Sequence, residues 1–191
     1  MPTTTYGIPY PNAGDATIIP SSLQTMADHL DKGLPLYVRP TADYGHGLGQ
    51  PPLEDPQMFI DLPTGDWRVR CITAYTTASD PNRDVDQAWA VTGGITLQSR
   101  FVSGPELAMT DVSSQRMVHR PVAQLILLQS YGVHPSFNNR CREDLVLSVT
   151  TPGRLTLVWG DHISPPESPV NSIVRSNLSY MRVQRIVKVI P

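Results

Sequence analysis

Charge is scarce in this chain. Asp, Glu, Lys and Arg make up 17% of its 191 residues, and aromatic residues only 7%; a typical soluble chain carries about 25% charged residues. Long surface helices draw on Glu, Lys and Ala, so this composition argues against a largely helical fold. There are two cysteines, Cys71 and Cys141. Two thiols so far apart do not make the disulfide framework of a small secreted domain. Both are expected as free thiols, with Cys71 buried in an apolar alternating run and Cys141 in the polar stretch Asn138-Asn139-Arg140-Cys141-Arg142. No run approaches the roughly 18 apolar residues of a membrane helix. The start, Met1-Pro2-Thr3-Thr4-Thr5, has neither the charged nor the apolar region of a secretory signal. The expectation is a soluble protein made in a cytosol, with no membrane insertion.

Catalytic signatures are missing as well. The histidines (His29, His46, His119, His134 and His162) form no HExxH and no close ligand pair. Asp161-His162 would be half of a base–orienter pair, but no G-x-S-x-G nucleophile elbow occurs. Gly45-His46-Gly47-Leu48-Gly49 follows no predicted strand and lacks the Lys-Ser/Thr ending of a phosphate loop, so it reads as a hinge. Asp80-Pro81-Asn82-Arg83-Asp84 with Asp86 is read as a polar hairpin loop rather than a Ca²⁺ site. The carboxylate pairs Asp28/Asp31 and Glu54/Asp55 lie outside any predicted cleft. The arginines are scattered without aromatic interleaving, which gives no nucleic-acid surface. These absences point to a non-enzymatic protein without cofactor or metal.

What the chain does have is proline, unevenly placed. Ten of its 19 prolines fall in the first 63 residues. Proline fixes φ and removes a donor, so this region cannot form continuous helix or a central strand. It is expected to run extended over residues 1–62 and to need a surface, its own domain or a neighbour's. Residues 1–66 hold eight acidic and two basic side chains, and residues 67–191 nine and thirteen, so −6 is set against +4. That asymmetry can guide an arm onto a neighbouring subunit. Inside the arm, Ser21-Ser22-Leu23-Gln24 is a capping box, Pro20 precedes it and Gly33 follows. Leu23, Met26, Ala27 and Leu30 then fall on one stripe, predicting a helix over 21–32. A helix of about twelve residues is marginal alone and must pack on the β domain or on copies of itself. Leu23, Met26 and Leu30 are the candidate oligomer-packing residues.

From Trp67 the period switches to two. Trp67-Arg68-Val69-Arg70-Cys71 alternates; Ile95, Leu97, Ser99 and Phe101 alternate; so do Leu145, Leu147 and Val149, then Leu155, Leu157 and Trp159. Residues 122–128 are mostly apolar, fit for a strand buried on both faces or at a subunit interface. Thr151-Pro152-Gly153-Arg154 has Pro and Gly placed for a type II turn and predicts a hairpin. Residues 178–190 read as a last long strand that could pair near the first. The predicted architecture is all-β: an antiparallel, jelly-roll-like β-sandwich over 63–191, preceded by the Pro-rich arm with its one short helix.

Two stretches carry a resemblance. Tyr6-Gly7-Ile8-Pro9-Tyr10-Pro11-Asn12-Ala13-Gly14-Asp15, followed by Ile19-Pro20-Ser21-Ser22-Leu23-Gln24-Thr25-Met26-Ala27, resembles the N-terminal segment of small virion proteins of tailed bacteriophages. These are minor tail or fibre-like proteins, notably in phages of actinobacteria. The Pro63–Trp67 opening, the run 151–159 and the close Asn177-Leu178-Ser179-Tyr180-Met181-Arg182-Val183-Gln184-Arg185-Ile186 are similar to their terminal β domains. The resemblance implies a homotrimer anchored to other virion proteins, of tail and baseplate or the major capsid protein. Tyr6, Ile8, Pro9, Tyr10 and Pro11 would be the anchoring residues, and a host-surface glycan a further partner. The chain lacks the long shaft of a fibre, which leaves tail-proximal and capsid-decoration roles both open. A reading of another class is a carbohydrate-binding module using Trp67, Trp89, Trp159 and Tyr131, although alternation assigns Trp67 and Trp159 to the core.

Overall fold

The computed structural model describes residues 35–46, 51–77, 83–105, 117–133, 139–161 and 173–186, and every regular element among them is a strand. The predicted helix over 21–32, its residues Leu23, Met26 and Leu30, and the arm residues Tyr6, Ile8, Pro9, Tyr10 and Pro11 lie outside the described residues.

Twelve strands are present among the described residues: β1 (Leu36–Val38), β2 (Tyr44–His46), β3 (Leu53–Leu62), β4 (Gly65–Thr77), β5 (Arg83–Val91), β6 (Ile95–Pro105), β7 (Met117–Val122), β8 (Gln129–Val133), β9 (Asn139–Val149), β10 (Gly153–Asp161), β11 (Ile173–Arg175) and β12 (Tyr180–Arg185). They form two antiparallel sheets. The first runs β1-β12-β4-β9-β6-β7, with β11 pairing both β4 and β2. The second runs β3-β10-β5-β8. Between them sits one apolar core that includes Met58, Val69, Leu145, Leu147, Leu155, Leu157 and Val183, all buried. Each such side chain removed from water contributes about 1.5–3 kcal/mol.

Alternation explains most of this. In β9 every odd residue from Asn139 to Val149 is buried, and in β4 Trp67, Val69, Cys71, Thr73 and Tyr75 face inward. The C-terminal strand does pair near the first: β12 lies between β1 and β4.

Five expectations need correction. Leu36–Val38, Tyr44–His46 and Leu53–Leu62, assigned to the arm, are three strands of the sandwich. Their prolines are accommodated because β1 and β3 are edge strands, where a missing donor costs no ladder bond. In β3, residues 55–58 bulge against β10, and Pro56 sits in that bulge. The hinge reading of the glycine-rich stretch likewise fails at Gly45 and His46, which are in β2.

Thr151–Arg154 does not close a hairpin. β9 belongs to the first sheet and β10 to the second, so the Pro-Gly turn carries the chain across the sandwich. It meets a parallel crossing from β5 to β6: Gly94 N–H donates to Thr151 O at 3.1 Å and Thr150 N–H to Gly94 O at 3.0 Å. The contact is tight. A Cβ on Gly153 would lie 2.0 Å from Thr92 O, and Gly93 adopts a φ of 70°.

The alternation predicted through Ile95, Leu97, Ser99 and Phe101 breaks in β6. The register against β9 shifts between Leu97 and Ser99, so Gln98 and Ser99 both face out. Beyond this bulge the phase inverts: Arg100 and Val102 point inward and Phe101 outward, 45% exposed.

Residues 123–128, expected within a strand buried on both faces or at a subunit interface, form no strand; they are an irregular segment linking β7 of the first sheet to β8 of the second.

Candidate interaction site

The bulge in β6 turns an arginine into the core. Arg100 and Glu143 are fully buried and meet fork to fork: Nε donates to Oε2 at 2.8 Å and Nη2 to Oε1 at 3.0 Å. The second sheet contributes two more donors, Trp89 Nε1 to Oε2 at 2.7 Å and Tyr131 O–H to Oε1 at 3.2 Å. Burial, then the Glu143 carboxylate, pushes the Tyr131 phenol far above its ordinary value and keeps it a donor.

The other amino group of Arg100 faces the 123–128 segment. Its Nη1 donates to the carbonyls of Gln124 (3.0 Å), Leu125 (2.9 Å) and Leu127 (2.8 Å). Trp89 N–H donates to Leu125 O at 3.0 Å. From the far side, Gln129 Nε2 donates to Leu128 O at 2.7 Å, and Gln129 is itself held by Arg120 Nε at 2.9 Å. With the backbone carbonyls gathered toward the protein, Leu125 packs into the core and the next three side chains are thrown outward. Ile126 is 71% exposed, Leu127 49% and Leu128 43%. An apolar tripeptide on the surface of a low-charge chain, held by a buried ion pair, is the most conspicuous exposed feature among the described residues.

A second buried ion pair bridges the sheets at another place. Arg175 of β11 pairs with Asp55 of β3, both fully buried. Asp55 Oδ2 also accepts from Trp159 Nε1 at 2.9 Å, and Oδ1 from the amides of Gln57 (2.9 Å) and Met58 (3.1 Å), which closes the bulge in β3. Asp55 was placed in the arm by its position in the chain; it is a core residue. His46 packs edge-on against Trp159 with ring centroids 4.5 Å apart, and both its nitrogens lack a hydrogen-bond partner. Burial lowers its pKa against the opposing pull of Asp55, which favours the neutral ring.

The remaining candidates fall into place around these. Cys71 and Cys141 are buried free thiols, Cys141 as well as Cys71. Burial first, and Glu143 second, raises both well above the ordinary thiol value. Trp67, Trp89, Trp159 and Tyr131 are all buried, so none offers a sugar a stacking face. That corrects the expectation for Trp89 and Tyr131 and removes the platforms of the carbohydrate-binding reading. No cluster of three or more His, Cys, Asp or Glu side chains suited to a metal occurs among the described residues. A shallow open depression lies between Leu62, Pro63, Pro152 and Arg154. Its two charges are spent on each other: Arg154 grips Asp61 through Nε (2.7 Å) and Nη2 (2.9 Å) and lies over the Phe59 ring.

The sequence offered a signal for Glu143, the one charged side chain in the buried phase of β9. It offered none for Arg100, whose inward direction depends on the bulge two residues earlier. No protein-family model matches the chain, and no curated protein matches it.

Proposed function

We propose that this chain is a non-enzymatic structural protein of a tailed-phage particle, a homotrimeric jelly-roll unit on the tail or baseplate whose N-terminal segment anchors it to other virion proteins. The observation that carries an assembly role is the exposed Ile126-Leu127-Leu128 segment. It is a preorganised apolar surface, the kind of feature that interfaces bury. The two buried ion pairs support the same reading, because their donors and acceptors are spent on joining the sheets rather than lining a cleft.

The jelly-roll assignment is supported by strand order. With β1/β2 and β11/β12 each taken as one interrupted strand, the core orders are first-last-third-sixth in one sheet and second-seventh-fourth-fifth in the other once the β6–β7 hairpin is set aside. That arrangement is an eight-stranded double Greek key, with β6–β7 as an added hairpin that widens one sheet. Fold alone does not give function. The phage assignment rests on the resemblance of the stretches 6–15, 19–27, 63–67, 151–159 and 177–186.

Purified particles separated into heads and tails and probed for this chain test the proposal. Its presence in tails is expected. Presence in heads alone would move it to the capsid-decoration role, and absence from both would overturn a virion role.

A further inference from the structure

We propose that the 126–128 tip is where copies of this chain meet one another, each tip packing against its own equivalent about a rotation axis. The proposal rests on the homo-oligomeric reading above and gives it a location. Exposure alone would not carry it, since scattered surface apolar residues are normal. Among the described residues, Tyr37, Leu53, Phe101, Leu178 and Ile186 are such cases, each a single exposed position well separated in the chain from the next. Ile126, Leu127 and Leu128 are consecutive, and they are held out.

Two side chains do the holding. Arg100 collects the carbonyls of Gln124, Leu125 and Leu127, and Gln129 collects that of Leu128. With these carbonyls turned inward, the three aliphatic side chains cannot fold back onto the core without breaking bonds to a buried guanidinium. A contact surface that is rigid before binding loses less entropy on association.

The charge pattern selects the occupant. Residues 123–128 are Ala-Gln-Leu-Ile-Leu-Leu, without a single ionisable group. At an isologous or ring contact near the axis, a residue faces copies of itself, so any charge there would face its like. An uncharged apolar cluster satisfies that condition, and it offers no electrostatic handle for steering a different partner. The neighbouring edge strand argues against the other common homotypic contact. β7 ends the first sheet and carries Pro121, which removes one backbone donor and blunts strand-to-strand addition. Three aliphatic side chains supply on the order of 300 Å², less than the roughly 800 Å² per partner of a stable interface. The tip is therefore the central cluster, with exposed Gln124 and Arg120 in its rim.

The test uses the full-length chain. Mass by light scattering and native mass spectrometry is compared for the unaltered protein, the Ile126→Asp/Leu127→Asp variant and a Leu178→Asp control at an exposed turn position. An oligomer is expected for the unaltered chain and the control, with association at least tenfold weaker in the tip variant and an unchanged far-ultraviolet circular dichroism spectrum. An oligomer equally tight in the tip variant overturns the location while leaving the homo-oligomer standing. A monomeric unaltered chain overturns both. Should the double aspartate variant fail to fold, Ile126→Cys gives a second readout. Oxidation is expected to link copies into a dimer on a non-reducing gel, with Cys71 and Cys141 too buried to compete. An Ile126→Cys oligomer that does not cross-link sinks the proposal.

Discussion

Arg100 closes both prongs of its fork on Glu143, at 2.8 and 3.0 Å, in a site that neither side chain shares with water. A buried pair of this kind contributes little net stability over an apolar replacement, but breaking it is costly, because the survivor keeps its charge and loses its counter-ion.

Replacement of Glu143 by Gln is therefore expected to cost about 3–5 kcal/mol. That is a large part of the roughly 5–15 kcal/mol available to a domain. Arg100→Lys keeps the charge and loses the planar fork; one ammonium cannot hold a carboxylate and three carbonyls together. It is expected to destabilise the fold as well and to expose the 124–127 segment to proteolysis. Urea unfolding followed by tryptophan fluorescence, with limited digestion of the Arg100→Lys chain, checks both statements.

The two thiols should be silent in the folded protein. Burial holds Cys71 and Cys141 protonated at pH 8, and neither sulfur reaches solvent. A chromogenic disulfide reagent at pH 8 is expected to report no thiol in the native chain and two per chain in guanidinium. Rapid labelling of the native protein would contradict the burial of the inner faces of β4 and β9.

His46 makes stability depend on pH in a definite direction. Its folded pKa lies below the ordinary value of 6.5. Below that value the unfolded chain takes up a proton that the buried ring does not. Stability is then fully present above about pH 6.5 and falls as the pH drops from there toward the folded pKa. The groups facing the ring are Tyr44 on its own strand, Trp159 of β10 and, through charge, Asp55 of β3. The urea midpoint is expected to drop between pH 7 and 5, and His46→Gln to flatten that drop. An identical slope in the variant would assign the effect elsewhere.

Gly153→Ala should be costly out of proportion to its size. The new methyl would sit 2.0 Å from Thr92 O, where the turns after β5 and β9 cross, and backbone cannot step aside as a flexible side chain would. A loss of about 1–3 kcal/mol is expected, read as a lower thermal midpoint.

Much of the sandwich was legible from periodicity, because a strand with one wet face and one dry face must alternate. Val69, Leu145, Leu147, Leu155 and Trp159 were assignable on that ground alone. The failures share a physical origin: each needed knowledge of a partner strand. Pro152-Gly153 marks a reversal whether the next strand pairs with the last one or with the opposite sheet. Ser99 and Phe101 continue the alternation on paper, and only the register against β9 reveals the bulge that inverts it. Residues 123–128 look like core because apolar content says nothing about which way a segment's carbonyls are pulled. The sequence leaves a buried strand and a subunit interface both open for this run; what it hides is the hold that turns the side chains outward. It is made by Arg100, whose donors reach residues 24 to 27 positions further along the chain.

The pairing of β1 with β12 has a consequence for how the protein is made. Leu36 lies opposite Val183, and β4, the strand beside β12, waits on β9 for its other neighbour. A ribosome adds about 5–20 residues per second. The earliest strand of the domain thus emerges many seconds before its mate exists. Neither sheet can be completed on the nascent chain until β10 and β12 have been made, and the apolar faces of β3 to β6 must stay apart in the meantime. The low charge of the chain gives little help in that interval, so the yield of folded protein should respond strongly to temperature and to chaperone supply during expression.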